Sequence, residues 1–148
     1  MKKLLILISL LLVSWTPLIA TDALSPKGQW KTIDDKTGNN KSIVEIWIDN
    51  GELKGKVIEL INPEEPNQKC DDCKGDRKGQ PIVGMQFIWG LTEEDGIWDG
   101  GEILDPDNGK IYRGKISVSE DGQKLNVRGY IGFALLGRTQ VWERVSEG

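Results

Sequence analysis

From residue 28 onward the chain is a succession of short segments broken by Gly, Asp and Asn, with no helical period between them. The segments are 28–34, 42–49, 52–60, 84–90, 97–104, 109–118, 124–131 and 137–145, and each reads as a β-strand. Side chains in a strand alternate between two faces. Val44, Ile46 and Ile48 therefore share one face. Leu125, Val127, Gly129 and Ile131 oppose Lys124, Asn126, Arg128 and Tyr130, while Thr139, Val141 and Val145 oppose Arg138, Gln140, Trp142 and Arg144. Asn50-Gly51 is a strong hairpin signal, because both residues tolerate the left-handed backbone that a two-residue turn requires. Gly55, Gly114 and Gly129 lie inside strands and permit the bends that closure needs. Eight antiparallel strands of this length predict an all-β, up-and-down barrel, with a two-sheet sandwich as the alternative.

An up-and-down order also predicts the two ends. The connections at Asn50-Gly51, Leu91 to Gly96 and Ser119 to Gln123 fall at one end. The other end collects the first turn, the long segment 61–81, the Asp105–Gly109 turn and the apolar run Gly132-Phe133-Ala134-Leu135-Leu136. That second end is the expected mouth, where a small barrel can hold one small ligand.

The first residues carry a separate signal. Lys2 and Lys3 precede the apolar run Leu4 to Val13, and Ala20 offers a small residue for cleavage. This pattern predicts a secretory signal peptide over residues 1–20, with cleavage as late as residue 23, followed by a single β-barrel domain over 24–148. The apolar run is shorter than the roughly 20 residues a spanning helix needs, so no stable membrane insertion is expected after the leader is removed. The expected compartment is periplasmic or extracellular. Removing Lys2 and Lys3 lowers the net charge from −4 to about −6. That balance disfavours nucleic acid, which needs positive charge.

Cys70 and Cys73 are the only cysteines, and the chain has no histidine. Three readings compete for the pair. Thiol redox chemistry needs a depressed thiol pKa, which Asp71 and Asp72 oppose and which no following helix supplies. A zinc centre needs four ligands, and two thiolates without histidine fall short, so no metal is expected. An oxidising compartment favours a disulfide that staples the long loop. Asp105-Pro106-Asp107-Asn108-Gly109 has acidic spacing reminiscent of a calcium loop. However, Ile116 stands where the closing glutamate would be, and a turn with proline at its second position explains the segment. Without histidine, Ser-His-Asp and Cys-His catalysis are closed to a single chain. Paired carboxylates such as Glu102 and Asp105 are explained equally well by strand faces and turns. No enzymatic activity, catalytic residue or cofactor is expected.

Gly28-Gln29-Trp30 opens the first strand and resembles the Gly-x-Trp signature of lipocalins and their calycin relatives. That resemblance implies that Trp30 packs at the closed end against an arginine late in the last strand, here Arg144. A longer resemblance covers about residues 26–146. It runs through Lys41-Ser42-Ile43-Val44-Glu45-Ile46, Cys70-x-x-Cys73-Lys74-Gly75 and Ile103-Leu104-Asp105-Pro106-x-x-Gly109-Lys110-x-Tyr112. It continues through Val127-Arg128-Gly129-Tyr130-Ile131-Gly132 and Leu136-Gly137-Arg138-Thr139-Gln140-x-Trp142-x-Arg144. These stretches resemble a bacterial exported family catalogued as domain of unknown function 2147. The resemblance implies an exported small barrel and no particular activity.

The leading expectation is a small apolar or amphipathic ligand at the barrel mouth. Trp89, Tyr112, Tyr130 and Phe133 are the candidate apolar walls, and Arg128 and Arg138 could recognise an anionic group through a planar fork. The alternatives are a protein-binding module, such as an inhibitor or envelope accessory factor, acting through its loops, and a thiol redox protein using Cys70 and Cys73.

Overall fold

A computed structural model describes residues 24–133 and 136–146. The expected leader, residues 1–20 with its later cleavage option at 23, and the middle of the apolar connection, Ala134 and Leu135, lie outside the described residues. Eight strands follow in order: β1 Gly28–Ile33, β2 Asn40–Asp49, β3 Glu52–Leu60, β4 Gln86–Glu94, β5 Ile97–Asp105, β6 Lys110–Val118, β7 Lys124–Tyr130 and β8 Gly137–Arg144. Each strand pairs antiparallel with its sequence neighbour, and β1 pairs with β8, so the sheet closes into a barrel. The sandwich alternative is excluded by that last pairing.

Turn chemistry sets the register at the narrow end. Asn50 and Gly51 adopt φ of 49° and 78°, and Asp95 and Gly96 adopt 52° and 79°. Two successive left-handed residues match the twist of the flanking strands and reverse the chain in two residues. The fourth connection is therefore shorter than the expected Leu91 to Gly96. β4 runs on to Glu94, and Leu91 is fully buried. The sequence pattern understates this strand because its exposed end, Thr92 to Glu94, is polar.

The narrow half of the barrel is solid. Trp30, Ile46, Leu53, Leu91, Ile116 and Leu125 point inward there and are no more than 2% exposed. Each such side chain contributes about 1.5–3 kcal/mol relative to leaving it in water. Trp30 and Arg144 stand opposite each other in the β1–β8 pairing, and the guanidinium lies 4.1 Å from the indole ring centre. The same guanidinium donates to the carbonyls of Gly122 at 2.6 Å, Lys27 at 2.8 Å and Ser25 at 2.8 Å. Trp30 Nε1 donates to the Pro26 carbonyl at 2.8 Å. One cation thus ties the incoming chain, the β6–β7 turn and the barrel floor together. Its desolvation lowers the guanidinium pKa from its ordinary value, yet arginine remains a cation wherever proteins fold. Gly28, with φ of 119°, makes room: a Cβ there would lie 3.1 Å from Arg144 Nη1.

Replacing Arg144 with Met keeps the stem but strips the ring of its cation and three carbonyls of their donor. Chemical denaturation of Arg144→Met should show a loss of about 2–4 kcal/mol. Arg144→Lys should recover only part of it, because a point charge cannot serve three carbonyls in a fork. Full recovery by Lys would show that charge alone suffices.

Candidate functional site: the cavity at the open end

Above the solid floor the barrel is hollow. A cavity of about 1000 Å³ opens between the β1–β2, β3–β4 and β5–β6 connections. This is the end the strand order predicts. The cavity's lower wall is apolar: Val44, Val57, Phe87, Ile103, Val127 and Trp142 face it. Phe87 and Trp142 approach with ring centres 6.2 Å apart at a 43° tilt, a favourable aromatic geometry. A polar belt lies above. Thr32 and Ser42 are buried, and their hydroxyl oxygens lie 2.7 Å apart in a hydrogen bond, which offsets the cost of burying both. Gln140 Oε1 accepts the indole N–H of Trp142 at 2.8 Å. The ring of Tyr112 lies over Gly129, where any Cβ would meet Tyr112 Cβ at 3.4 Å.

Charged groups form the rim. Arg138 donates from Nη1 to Asp35 at 2.8 Å and from Nη2 to Asp105 at 3.5 Å. Lys41 is ion-paired with Asp107. Asp105 also accepts from the Asp107 backbone N–H at 3.0 Å and from Asn108 Nδ2 at 2.9 Å, which shapes the Asp105–Gly109 turn. Asp34 in the β1–β2 connection accepts from the backbone N–H groups of Thr37 at 2.8 Å and Lys36 at 2.9 Å. These bonds, Thr37 first, hold its carboxyl below its ordinary value.

The cysteine loop forms one wall. Cys70 and Cys73 are joined by a disulfide, with Cα atoms 5.3 Å apart and both residues buried. The loop folds back on itself through hydrogen bonds from Cys70 N to Gln80 O at 2.9 Å, Gly79 N to Cys70 O at 2.8 Å and Ile82 N to Gln68 O at 3.0 Å. Ile82 is thereby turned into the cavity and is 3% exposed. The disulfide end rests on the β5–β6 turn, with Cys70 Sγ 3.3 Å from the Pro106 carbonyl oxygen. Gly109 permits the contact: its φ is 67°, and a Cβ there would lie 2.0 Å from the Asp72 carbonyl. On the outer side Arg77 covers Trp89 at 4.6 Å, and Trp89 Nε1 donates to Glu102 at 2.9 Å.

The residues singled out from sequence separate into groups. Tyr112 and Arg138 line the cavity. Trp89, Arg128, Tyr130 and Phe133 do not line it. Arg128 and Tyr130 alternate with inward Gly129 and lie on the other face of the sheet, where Tyr130 is buried beside Gly137 and Arg128 Nη1 donates to Thr139 Oγ1 at 3.1 Å. Trp89 follows Ile88, which packs inward against Gly55, and so lies on the outside. Phe133 stands on the β7–β8 connection, 78% exposed. Glu102 and Asp105 are an odd number apart on β5 and do not act as a pair: Glu102 holds Trp89 outside while Asp105 holds Arg138 at the rim. Thr32, Ser42, Gln140 and Trp142 were not singled out, although the alternation placing Arg144 inside also places Gln140 and Trp142 there.

Replacing both Cys70 and Cys73 with Ser should free the loop while the barrel persists. Amide exchange should accelerate over residues 68–82, and global stability should fall by roughly 2 kcal/mol, the entropy of so short a closed loop. Gly109→Ala should loosen the same amides with the disulfide intact. For Asp34, the folded-state pKa is depressed, so its contribution is complete above the ordinary carboxylate range and is lost as pH falls through the folded value. In a pH titration by NMR, the amides of Lys36 and Thr37 should lose protection on that acid limb, and Asp34→Asn should show the weaker protection without the pH dependence.

Among solved structures the chain is similar to protein HP1028 from Helicobacter pylori, described as belonging to the lipocalin family. The TM-score is 0.73 at 20% identity, over 84% of this chain and 85% of that one. At that identity the likeness is one of fold. No curated protein matches the chain. A family model described as "Uncharacterized protein conserved in bacteria (DUF2147)" matches residues 28–144, from the first residue of β1 to the last of β8. With its closed eight-stranded barrel and a match spanning every strand, the chain belongs to the DUF2147 family.

Proposed function

We propose that this is an exported barrel that binds a small apolar or amphipathic molecule in the cavity at its open end. The observation that carries the reading is the half-open cavity of about 1000 Å³ at this end, shared between the barrel and its loops, with an apolar wall beneath a polar belt and a charged rim. Ligand pockets are commonly concave, largely apolar and furnished with a few fixed polar groups. Here the Thr32–Ser42 pair, Gln140 and Tyr112 are those groups. A lipocalin-like barrel is compatible with small-ligand binding in general. Export fits the leader-like first residues and the disulfide, which an oxidising compartment preserves.

The burial of both sulfurs supports the staple reading of the cysteine pair over redox catalysis, because an attacking thiolate needs access. A second reading, a protein-binding module acting through its loops, is favoured by the exposed apolar side chains Ile131, Phe133 and Leu136 on the β7–β8 connection. One variant separates the two. Val127→Trp places an indole in the cavity and should fold. Native mass spectrometry and solvent extraction of gently purified protein should find a bound small molecule on the parent chain and little or none on the variant. A loop-borne protein interaction would survive the substitution. Absence of any bound species from the parent, together with failure of apolar probes to change its tryptophan emission, would overturn lumen binding.

A further inference from the structure

We propose that the cavity selects a ligand whose head group is cationic, an ammonium or guanidinium carried on an apolar body, over an anionic one. This rests on the lumen-binding reading and adds the sign of the head group. The cavity defines the site, and the charges around its opening decide what it accepts.

Among the described residues, eight carboxylates and four cationic side chains, Lys36, Lys41, Lys69 and Arg138, line the cavity. The difference, −4, is most of the net charge of about −6 that remains once Lys2 and Lys3 are removed, so the acidity is concentrated at this opening. The cations are also partly committed. Lys41 is paired with Asp107, and Arg138 is shared between Asp35 and Asp105, one positive charge facing two negative ones. An anionic head group reaching Arg138 would sit beside the two carboxylates that already share that one positive charge. A cationic head group meets the surplus carboxylate there without breaking either contact.

The β3–β4 connection adds to the imbalance. Glu64, Glu65, Asp71 and Asp72 border the cavity, are exposed, and make no ion pair among the described residues. The backbone of Asp72 lies against Gly109 of the β5–β6 turn, which keeps this residue beside the opening. A concave site with apolar walls and one sign of charge at its rim focuses the field and concentrates ligands of the opposite sign. Arg138, one of the two arginines the sequence offers as an anion receptor, is thus already shared by two carboxylates.

Decyltrimethylammonium, decanol and decanoate share one chain and differ in head-group charge. Each is titrated below its micelle-forming concentration, by calorimetry and by tryptophan emission, for which Trp142 in the cavity wall is the reporter. At low ionic strength the ammonium compound should bind about tenfold tighter than decanoate, with decanol between, and the gap should narrow at high salt. The double change Asp35→Asn and Asp105→Asn frees Arg138 and should raise the ratio of decanoate to decanol affinity. Arg138→Gln removes the competing cation and should raise the ratio of ammonium to decanol affinity, so the two variants move in opposite directions. Decanoate binding as tightly as the ammonium compound, with decanol also bound, would overturn the charge selection and leave lumen binding standing. Failure of all three probes to bind would overturn both.

Discussion

The stacking of Arg144 on Trp30 is the interaction on which the rest of the barrel depends. A closed sheet of eight strands needs a floor, and here one guanidinium covers the indole face while its N–H groups reach three backbone carbonyls. Those carbonyls belong to the segment entering β1 and to the β6–β7 turn, which are far apart in sequence. The contact also sits at the β1–β8 seam, the one pairing between strands that are not neighbours in sequence. It therefore fixes at once which strands close the barrel, which face of β8 turns inward and which end is sealed.

Everything at the open end inherits its orientation from that seam. Once Arg144 is inside, Trp142, Gln140 and Arg138 are inside as well, because strand residues two apart share a face. They rise in order from the apolar wall through the polar belt to the charged rim. The cysteine loop completes the enclosure by local means: a short disulfide, a few backbone hydrogen bonds, and a glycine where the loop rests on the β5–β6 turn.

The strand count, the two-residue turn at Asn50-Gly51 and the location of the mouth were legible in the sequence, since each depends on local alternation and turn chemistry. The individual site residues were less so. Arg128 and Tyr130 attract attention by residue type, yet they alternate with inward Gly129 and lie on the other face of the sheet. Trp89 sits where the β3–β4 register slips, between Ile88 and Leu91, the partners of Gly55 and Leu53, so the inward parity of Leu91 does not carry back to it. No simple alternation reveals a bulge. Arg138 was found, but its commitment to Asp35 and Asp105 was hidden, because its partners lie more than 30 and 100 positions away in the chain.

By itself, then, the sequence determined an all-β chain of eight strands, its hairpin turns, and a cysteine pair in the longest connection. Those properties follow from the period-two pattern and from residues that favour left-handed turns, which act over a few positions. Tertiary structure alone decided that side chains fill the lower half and leave a cavity in the upper half, that both sulfurs are buried, and that the rim carries more negative than positive charge. Each of these is a sum over side chains that distant strands bring together, and closure of the barrel is what brings them there.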